Sequence, residues 1–160
     1  MRKPNASDRN TKMLKSTDIR ILLDDLASLP DLDIAASEVV VMRSDLADFT
    51  KDQRSDRPYL LGIVPSTQIS GRGDDGFSYT DRFELFVAHR AVSKQTYAKR
   101  LEQLDQCADI VRRIVSHIQE CISTFRAPWV GVQLSGSPIE PIEIDQMRGY
   151  ILILDLRQPV

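Results

Sequence analysis

The sequence has few of the features that mark secreted, membrane-spanning or nucleic-acid-binding proteins. Its 160 residues include two cysteines, Cys107 and Cys121, which are too few for a disulfide scaffold. No apolar run approaches the ~20 residues that a transmembrane helix needs. Lys and Arg number 21 against 23 Asp and Glu, so the chain lacks the basic excess of a dedicated nucleic-acid binder.

Motifs for catalysis, metal binding and phosphate binding are also missing. The two histidines, His89 and His117, lie on different predicted elements and make no zinc-binding spacing with the cysteines. Neither a glycine-rich phosphate loop nor a nucleophile elbow occurs. The acid pairs Asp24–Asp25 and Asp74–Asp75 are expected on a solvated helix face and in a mobile loop, which are poor settings for acid–base work. We therefore expect no enzyme activity, no metal site and no cofactor.

Charge is distributed unevenly along the chain. Residues 1–15 carry five basic side chains and one acidic one, a balance of +4, whereas the rest carries 16 basic and 22 acidic residues. This basic arm has no aromatic residue, so we expect it to be disordered. It also lacks the apolar segment of a secretory signal. We expect nucleic-acid contact, if any, only through this arm.

Apolar periodicity predicts an α+β protein with one domain over residues 16–160. A first helix is capped at 16–18, presents apolar residues from Ile19 to Leu29, and stops at Pro30. The polar segment 44–58 is predicted as a loop or short surface helix, and 66–76 as a flexible loop. A long helix is predicted over 93–125, and strands over 38–42, 59–64, 77–91, 129–134 and 149–156. This order predicts a mainly antiparallel sheet of four to five strands packed against two helices, the second one long.

The predicted long helix carries an apolar row with a seven-residue repeat. The row consists of Tyr97, Leu101, Leu104, Ala108, Val111, Val115, Ile118, Ile122 and Phe125. Cys107, Ile114 and Cys121 form a parallel row that widens the apolar stripe. The wide part favours packing on the chain's own sheet, whereas the narrow part from Tyr97 to Leu104 is also suited to a partner helix. Both interpretations stay open.

Five segments of the chain occur in an order found in another group of proteins. They are the helix 19–29, the strand 59–63, the strand Arg82–Arg90 with the sequence RFELFVAHR, the helix segment 109–115 and the closing strand 150–156. In this order, residues 16–157 resemble tail-terminator and neck-type proteins of tailed bacteriophages. The chain departs from that pattern in its longer second helix and its longer polar segment 44–58. Proteins of this kind are small α+β subunits that assemble as hexameric rings on a tail tube, and they have no catalytic residues to carry over.

The resemblance implies a structural assembly protein, either a tail terminator or a tail completion protein, in the virion or in the cytoplasm of a bacterial host. The resemblance implies that its partners are copies of itself, in a hexamer, and other tail or neck proteins, with no membrane contact. A small cytoplasmic adaptor or regulatory module that binds a protein through the long helix is the alternative. The candidate partner contacts lie in the basic arm and near the tip of the central hairpin: Arg2, Lys3, Arg9, Arg72, Asp74, Asp75, Phe77 and Tyr79.

Overall fold

A single sheet with helices on both faces organises the part of the chain that the structure describes. The computed structural model describes residues 15–41, 45–51, 56–71, 77–134, 139–144 and 146–158. In chain order the elements are α1 (Ser16–Ala27), β1 (Ala36–Val40), α2 (Leu46–Lys51), β2 (Tyr59–Gly71), β3 (Phe77–Arg90), α3 (Tyr97–Ser123), β4 (Val132–Leu134), β5 (Pro141–Ile144) and β6 (Met147–Gln158).

The sheet is mixed but mainly antiparallel. Its order is β1-β2-β3-β6-β4, and β5 also pairs with β6. Among the described strands, only β1 and β2 run parallel, while β3 pairs antiparallel with β2 and β6. The short strands β4 and β5 share the outer edge of β6, opposite Leu154–Leu156 and Met147–Tyr150 respectively. The α+β class and the long helix are confirmed, and the described residues form six strands where four to five were expected.

Both faces of the sheet centre are buried. On one face, α1 and α3 cover a core that includes Leu60, Phe83, Leu85, Val87, Leu152 and Leu154. On the other face, a smaller cluster surrounds Leu46 of α2 and includes Tyr59, Leu61, Ile63, Phe86, Ala88 and Ile151. Because alternate residues of a strand point to opposite faces, a strand covered on both sides must be apolar at successive positions. This confirms the interpretation of the continuous apolar runs in β2 and β6.

Local capping signals mark the starts of the two large helices. The carboxylate of Asp18 accepts a hydrogen bond from the backbone amide of Lys15 at 2.8 Å, which closes the first turn of α1. The hydroxyl of Thr96 accepts from the backbone amide of Lys99 at 3.2 Å and caps α3. The first cap lies where the sequence predicted it, whereas α3 begins four residues later than the predicted start at 93.

The polar segment 44–58 contains the short helix α2, one of the two predicted possibilities. Leu46 is fully buried against the second face of the sheet. The Phe49 ring meets the Tyr59 ring edge to face, with 5.5 Å between centroids. These two apolar residues attach an otherwise polar segment to the sheet.

The prediction of a flexible loop over 66–76 is wrong for its first half, because β2 continues to Gly71. Ile63 pairs with Glu84 and Ser66 with Arg82, so two residues of β2 face one residue of β3 in a β-bulge. Pro65 lies in this bulge, one of the few places where a sheet tolerates a residue without an amide hydrogen. The strand therefore continues past the proline at which the sequence pattern predicted that it would end.

Candidate assembly surfaces

Most of the predicted contact residues lie outside the described residues. This applies to Arg2, Lys3, Arg9, Arg72, Asp74 and Asp75, and to the whole predicted arm apart from Lys15. The backbones of Phe77 and Tyr79 lie in β3, where they pair with Gly71 and Ile69 of β2. The two aromatic residues are thus placed on the hairpin that the sequence predicted as a contact region.

The hairpin continues beyond the apolar core as a region that we call the distal extension. It consists of Ser66–Gly71 of β2, Phe77–Arg82 of β3 and Asp155–Gln158 of β6. The pairing of β1 with β2 ends at Ile63, so no described strand pairs with the outer edge of β2 from Val64 onward. An unpaired edge presents backbone donors and acceptors on which another strand can dock.

An apolar side chain is exposed on this extension. Ile69 is 60% exposed, whereas its described neighbours Ser66, Thr67 and Gln68 are polar. Ile69 lies six residues beyond Ile63, the last residue of β2 in the buried clusters. The extension therefore combines a strand edge that is unpaired among the described strands with an exposed aliphatic group.

Polar cross-strand contacts hold the extension together. The Thr67 hydroxyl donates to the Asp81 carboxylate at 2.6 Å, and Asp81 is completely buried. The guanidinium of Arg82 donates to both carboxylate oxygens of Asp155, at 2.8 and 3.2 Å, and this bond raises the pKa of Arg82. Such contacts help to fix the register of the three strands beyond the bulge.

The first two turns of α3 provide a second exposed apolar surface. Tyr97 is 74% exposed and Leu101 is 43% exposed, and their spacing of four residues places them on the same side of the helix. Val92, in the segment before the helix, is also mostly exposed. These helix residues belong to the narrow part of the apolar row. The sequence did not decide whether that part packs on the sheet or binds a partner helix.

The buried face of α3 is centred on a different row from the seven-residue repeat. Its buried residues are Cys107, Ile110, Val111, Ile114, Ile118 and Cys121. Phe125, which ends the repeat, is 83% exposed and has a left-handed φ of 53° just past the helix. The wide part of the apolar stripe thus packs on the chain's own sheet, and the row Cys107, Ile114 and Cys121 lies within the buried face.

A cluster of hydrogen bonds joins α1, α3 and the loop that follows α3. The Asp25 carboxylate oxygen Oδ2 accepts from Nε1 of Trp129 at 2.6 Å and lies 2.8 Å from Nε2 of His117. Sγ of Cys121 lies 3.5 Å from the same His117 nitrogen. The predicted solvated helix face is confirmed for Asp24, whereas Asp25 is only partly exposed because its carboxylate binds Trp129, 104 positions later in the chain.

The cysteine, histidine and aspartate of this cluster do not form a nucleophilic relay. In such a relay the two imidazole nitrogens serve different partners, one the nucleophile and the other the carboxylate. Here Asp25 and Cys121 both approach Nε2 of His117, and the carboxylate accepts the proton of that nitrogen. Burial raises the pKa of the Cys121 thiol. The cluster is therefore suited to fastening α1 to α3 and not to activating the thiol.

His89 and Cys107 form the other buried titratable pair. His89 has its Nε2 3.0 Å from the Gln106 amide oxygen, so this nitrogen carries the proton. Burial lowers the pKa of His89 and raises that of Cys107 to about 12. Both groups are thus neutral near pH 7. No group of three or more His, Cys, Asp or Glu in the described ranges is placed to hold a metal ion.

Comparisons with known proteins add no family to this geometry. No protein-family model matches the chain, and the search of curated proteins gives no match. Among the helices of the described segments, none has the length and apolar character to cross a membrane.

Proposed function

We propose that the chain is a structural assembly protein of a phage or prophage-derived tail, which forms a homo-oligomeric ring as a tail terminator or completion protein. The observation that carries the proposal is the distal extension, with an edge of β2 that no described strand pairs and with Ile69 exposed. A ring requires heterologous contacts, in which one surface of a subunit meets a different surface of the next. A projecting strand edge is well suited to such a contact.

The charge distribution supports the same proposal. The first fifteen residues carry +4, and the remaining residues carry six more acidic than basic side chains. Opposite charges on different parts of one subunit favour head-to-tail association of copies over repulsion between them. The resemblance in the order of elements adds the expectation of a hexamer and of tail or neck proteins as further partners, in the virion or the host cytoplasm.

The mass of the purified protein in solution tests this proposal. We expect light scattering to give several times the chain mass of 18.1 kDa, and electron microscopy to give rings. Replacement Ile69→Lys should place a charge in the contact and shift the mass towards one chain. Ile21→Lys is the matched control, because Ile21 is 56% exposed on α1, away from the extension. A protein that stays monomeric at high concentration, with no rings, would contradict the proposal.

The second candidate function is a protein-binding adaptor, favoured by the exposed Tyr97 and Leu101 at the start of α3. An amphipathic partner helix could pack against two apolar residues spaced by one helical turn. This candidate predicts a mass of one or two chains that Ile69→Lys leaves unchanged. The same scattering experiment therefore distinguishes the two functions.

A further inference from the structure

A polar pocket lies away from the distal extension, between the end of β3, the start of α3 and the β5–β6 hairpin. Its volume is about 640 Å³, within the range of small-molecule sites. Arg90 of β3, Arg100 of α3 and Arg148 of β6 line it, and the acidic residues in its wall are Asp56 and Glu143. The lining thus carries a positive excess in a chain whose net charge is −2. This contrast favours an anionic ligand.

Unmet hydrogen-bonding groups are concentrated in the residues of this pocket. Three buried atoms have no hydrogen-bond partner: Nε of Arg100, Nη1 of Arg148 and Oε1 of Gln95. Within the described ranges no other buried side-chain nitrogen or oxygen lacks a partner, and all three belong to residues that line this pocket. Buried polar atoms are nearly always paired, so three such atoms around one pocket call for an explanation. Together they offer two N–H donors and one acceptor.

Neighbouring atoms hold two of these side chains in position. The carboxylate of Glu143 accepts from Nε and Nη2 of Arg148 at 3.2 and 2.9 Å. The Gln95 amide donates through Nε2 to Oε1 of Gln103 at 3.0 Å. In each side chain, therefore, some polar atoms are held by hydrogen bonds while one polar atom remains unpaired. This is expected of a binding site that is preorganised for its ligand.

We propose that this pocket binds a small phosphate-bearing anion, with the phosphate group in a protonated form. Guanidinium groups are the preferred protein partners of phosphate oxygens, which matches the donors of Arg100 and Arg148. The acceptor on Gln95 requires a donor, which a P–OH group supplies. Sulfate has similar shape and charge but no proton near neutral pH, and a phosphodiester also lacks one. The pocket should therefore discriminate between phosphate and sulfate.

Thermal unfolding of the full chain tests the proposal, with the buried Trp129 as the fluorescent reporter. Inorganic phosphate, glycerol 3-phosphate and sulfate are compared at equal ionic strength and about pH 6.5, near the second pKa of a phosphomonoester. All three anions stabilise folded proteins generally, so the informative quantity is the excess rise in Tm over sulfate. We expect a concentration-dependent excess for phosphate. If glycerol 3-phosphate gives the same excess rise in Tm, the site binds phosphomonoesters. If glycerol 3-phosphate gives no excess, the site binds free phosphate alone.

Three variants separate binding from folding. Arg100→Gln should weaken phosphate binding about tenfold or more, because it removes a charged donor. Arg112→Gln, on the exposed side of the same helix, should leave binding unchanged. Gln95→Leu should abolish the preference for phosphate over sulfate. Equal effects of phosphate and sulfate on the unmodified protein would overturn the proposal. If Arg100→Gln fails to fold, Arg148→Lys, which keeps a charge beside Glu143, must weaken binding or the proposal is wrong.

Discussion

The centre of the sheet and its distal extension are built from the same strands but stabilised by different forces. Between Tyr59 and Ile63, β2 is buried on both faces, whereas beyond the bulge its described side chains are mainly polar and exposed. The pairing of β2 with β3 nevertheless continues to Gly71. Along β2, the burial of apolar side chains therefore ends at the bulge, whereas the backbone pairing with β3 continues beyond it. A pair of strands can extend beyond its core when the core has already set the register.

The extension depends on the centre for its stability. An isolated two-stranded hairpin is marginal in water, and a cross-strand pair contributes only about 0.2–1 kcal/mol. A fully buried aliphatic side chain such as Leu85 contributes about 1.5–3 kcal/mol. Substitutions in the two regions should therefore differ in cost even where the residue types are similar.

The largest expected effect is that of Gly149→Ala at the sheet centre. A Cβ atom at this position would lie 1.8 Å from the carbonyl oxygen of Val87 and 2.6 Å from Cα of Ala88. Backbone atoms cannot yield without breaking the β3–β6 pairing, so we expect a loss of about 4 kcal/mol or more in the free energy of unfolding. Urea unfolding and the soluble yield measure it.

Gly62→Ala is the matched control for that substitution. Its Cβ would meet side-chain atoms of Ile19 and Leu23 on α1, the nearest at 2.7 Å. Side chains can shift, so a loss of about 1–3 kcal/mol is expected. If the two glycine variants were equally stable, the close approach of β6 to β3 would not be the constraint that we describe.

The next largest effect compares one aliphatic truncation in each region. Leu85→Ala removes a fully buried side chain at the centre and should cost about 2–5 kcal/mol. Ile69→Ala in the extension should change the free energy of unfolding by less than about 0.5 kcal/mol. Urea unfolding measures both losses, under conditions where the two variants have the same oligomeric mass in solution. A similar loss for Ile69→Ala would mean that the extension has a hydrophobic core of its own.

A third comparison lies within the extension, between the adjacent residues Asp81 and Arg82. Asp81→Ala leaves the Thr67 hydroxyl without its acceptor and should cost about 1–3 kcal/mol. Arg82→Ala breaks an ion pair at the surface and should cost less than Asp81→Ala, because solvent screens the exposed pair. Chemical denaturation of the two variants gives the ranking, and the reverse order would show that the surface pair with Asp155 holds the strands.

The smallest expected effect is a pH dependence from His89, which is buried near the end of β3. Its pKa is lowered, mainly by burial, with Lys99 adding to the shift and Gln106, Asp56 and Glu102 opposing it. The unfolded chain takes up a proton near pH 6.5 while the folded chain does not. The contribution of His89 to stability is therefore complete above pH 6.5 and declines as the pH falls towards the lowered pKa.

Replacement of His89 isolates this contribution. The loss of stability between pH 7 and pH 5.5 in urea unfolding should be smaller for His89→Gln than for the unmodified protein. His117→Gln is the control, since it alters the other histidine and keeps the buried imidazole of His89. An unchanged loss in His89→Gln would exclude His89 as the titrating group.

Prediction from sequence succeeded where the signal was local. Asp18 caps α1, the apolar run from Tyr59 is a strand buried on both faces, and Leu46 and Phe49 lie on a short helix. Each depends on residues within a few positions of one another. The strand 66–71 was missed because its polar side chains carry no signal of burial, and pairing with β3 alone makes it a strand.

The surfaces and sites were less accessible to prediction. The basic arm, apart from Lys15, and residues 72–76 lie outside the described residues, so the contacts proposed there stay predictions. The contact of Asp25 with Trp129 and the pocket around Arg100 and Arg148 had no signature in the sequence. Their members lie tens of positions apart, and no local pattern relates them.

The sequence by itself determined the two main helices, the apolar strand segments and which of these segments are buried on both faces, because capping, periodicity and apolar runs are properties of neighbouring residues. The tertiary structure decided the order of the strands, the buried face of α3 and the length of the distal extension. These features depend on pairing between distant segments, such as β3 with β6. The physical reason is that burial and backbone pairing are satisfied only by the assembled sheet, which selects among the faces and lengths that local propensity permits.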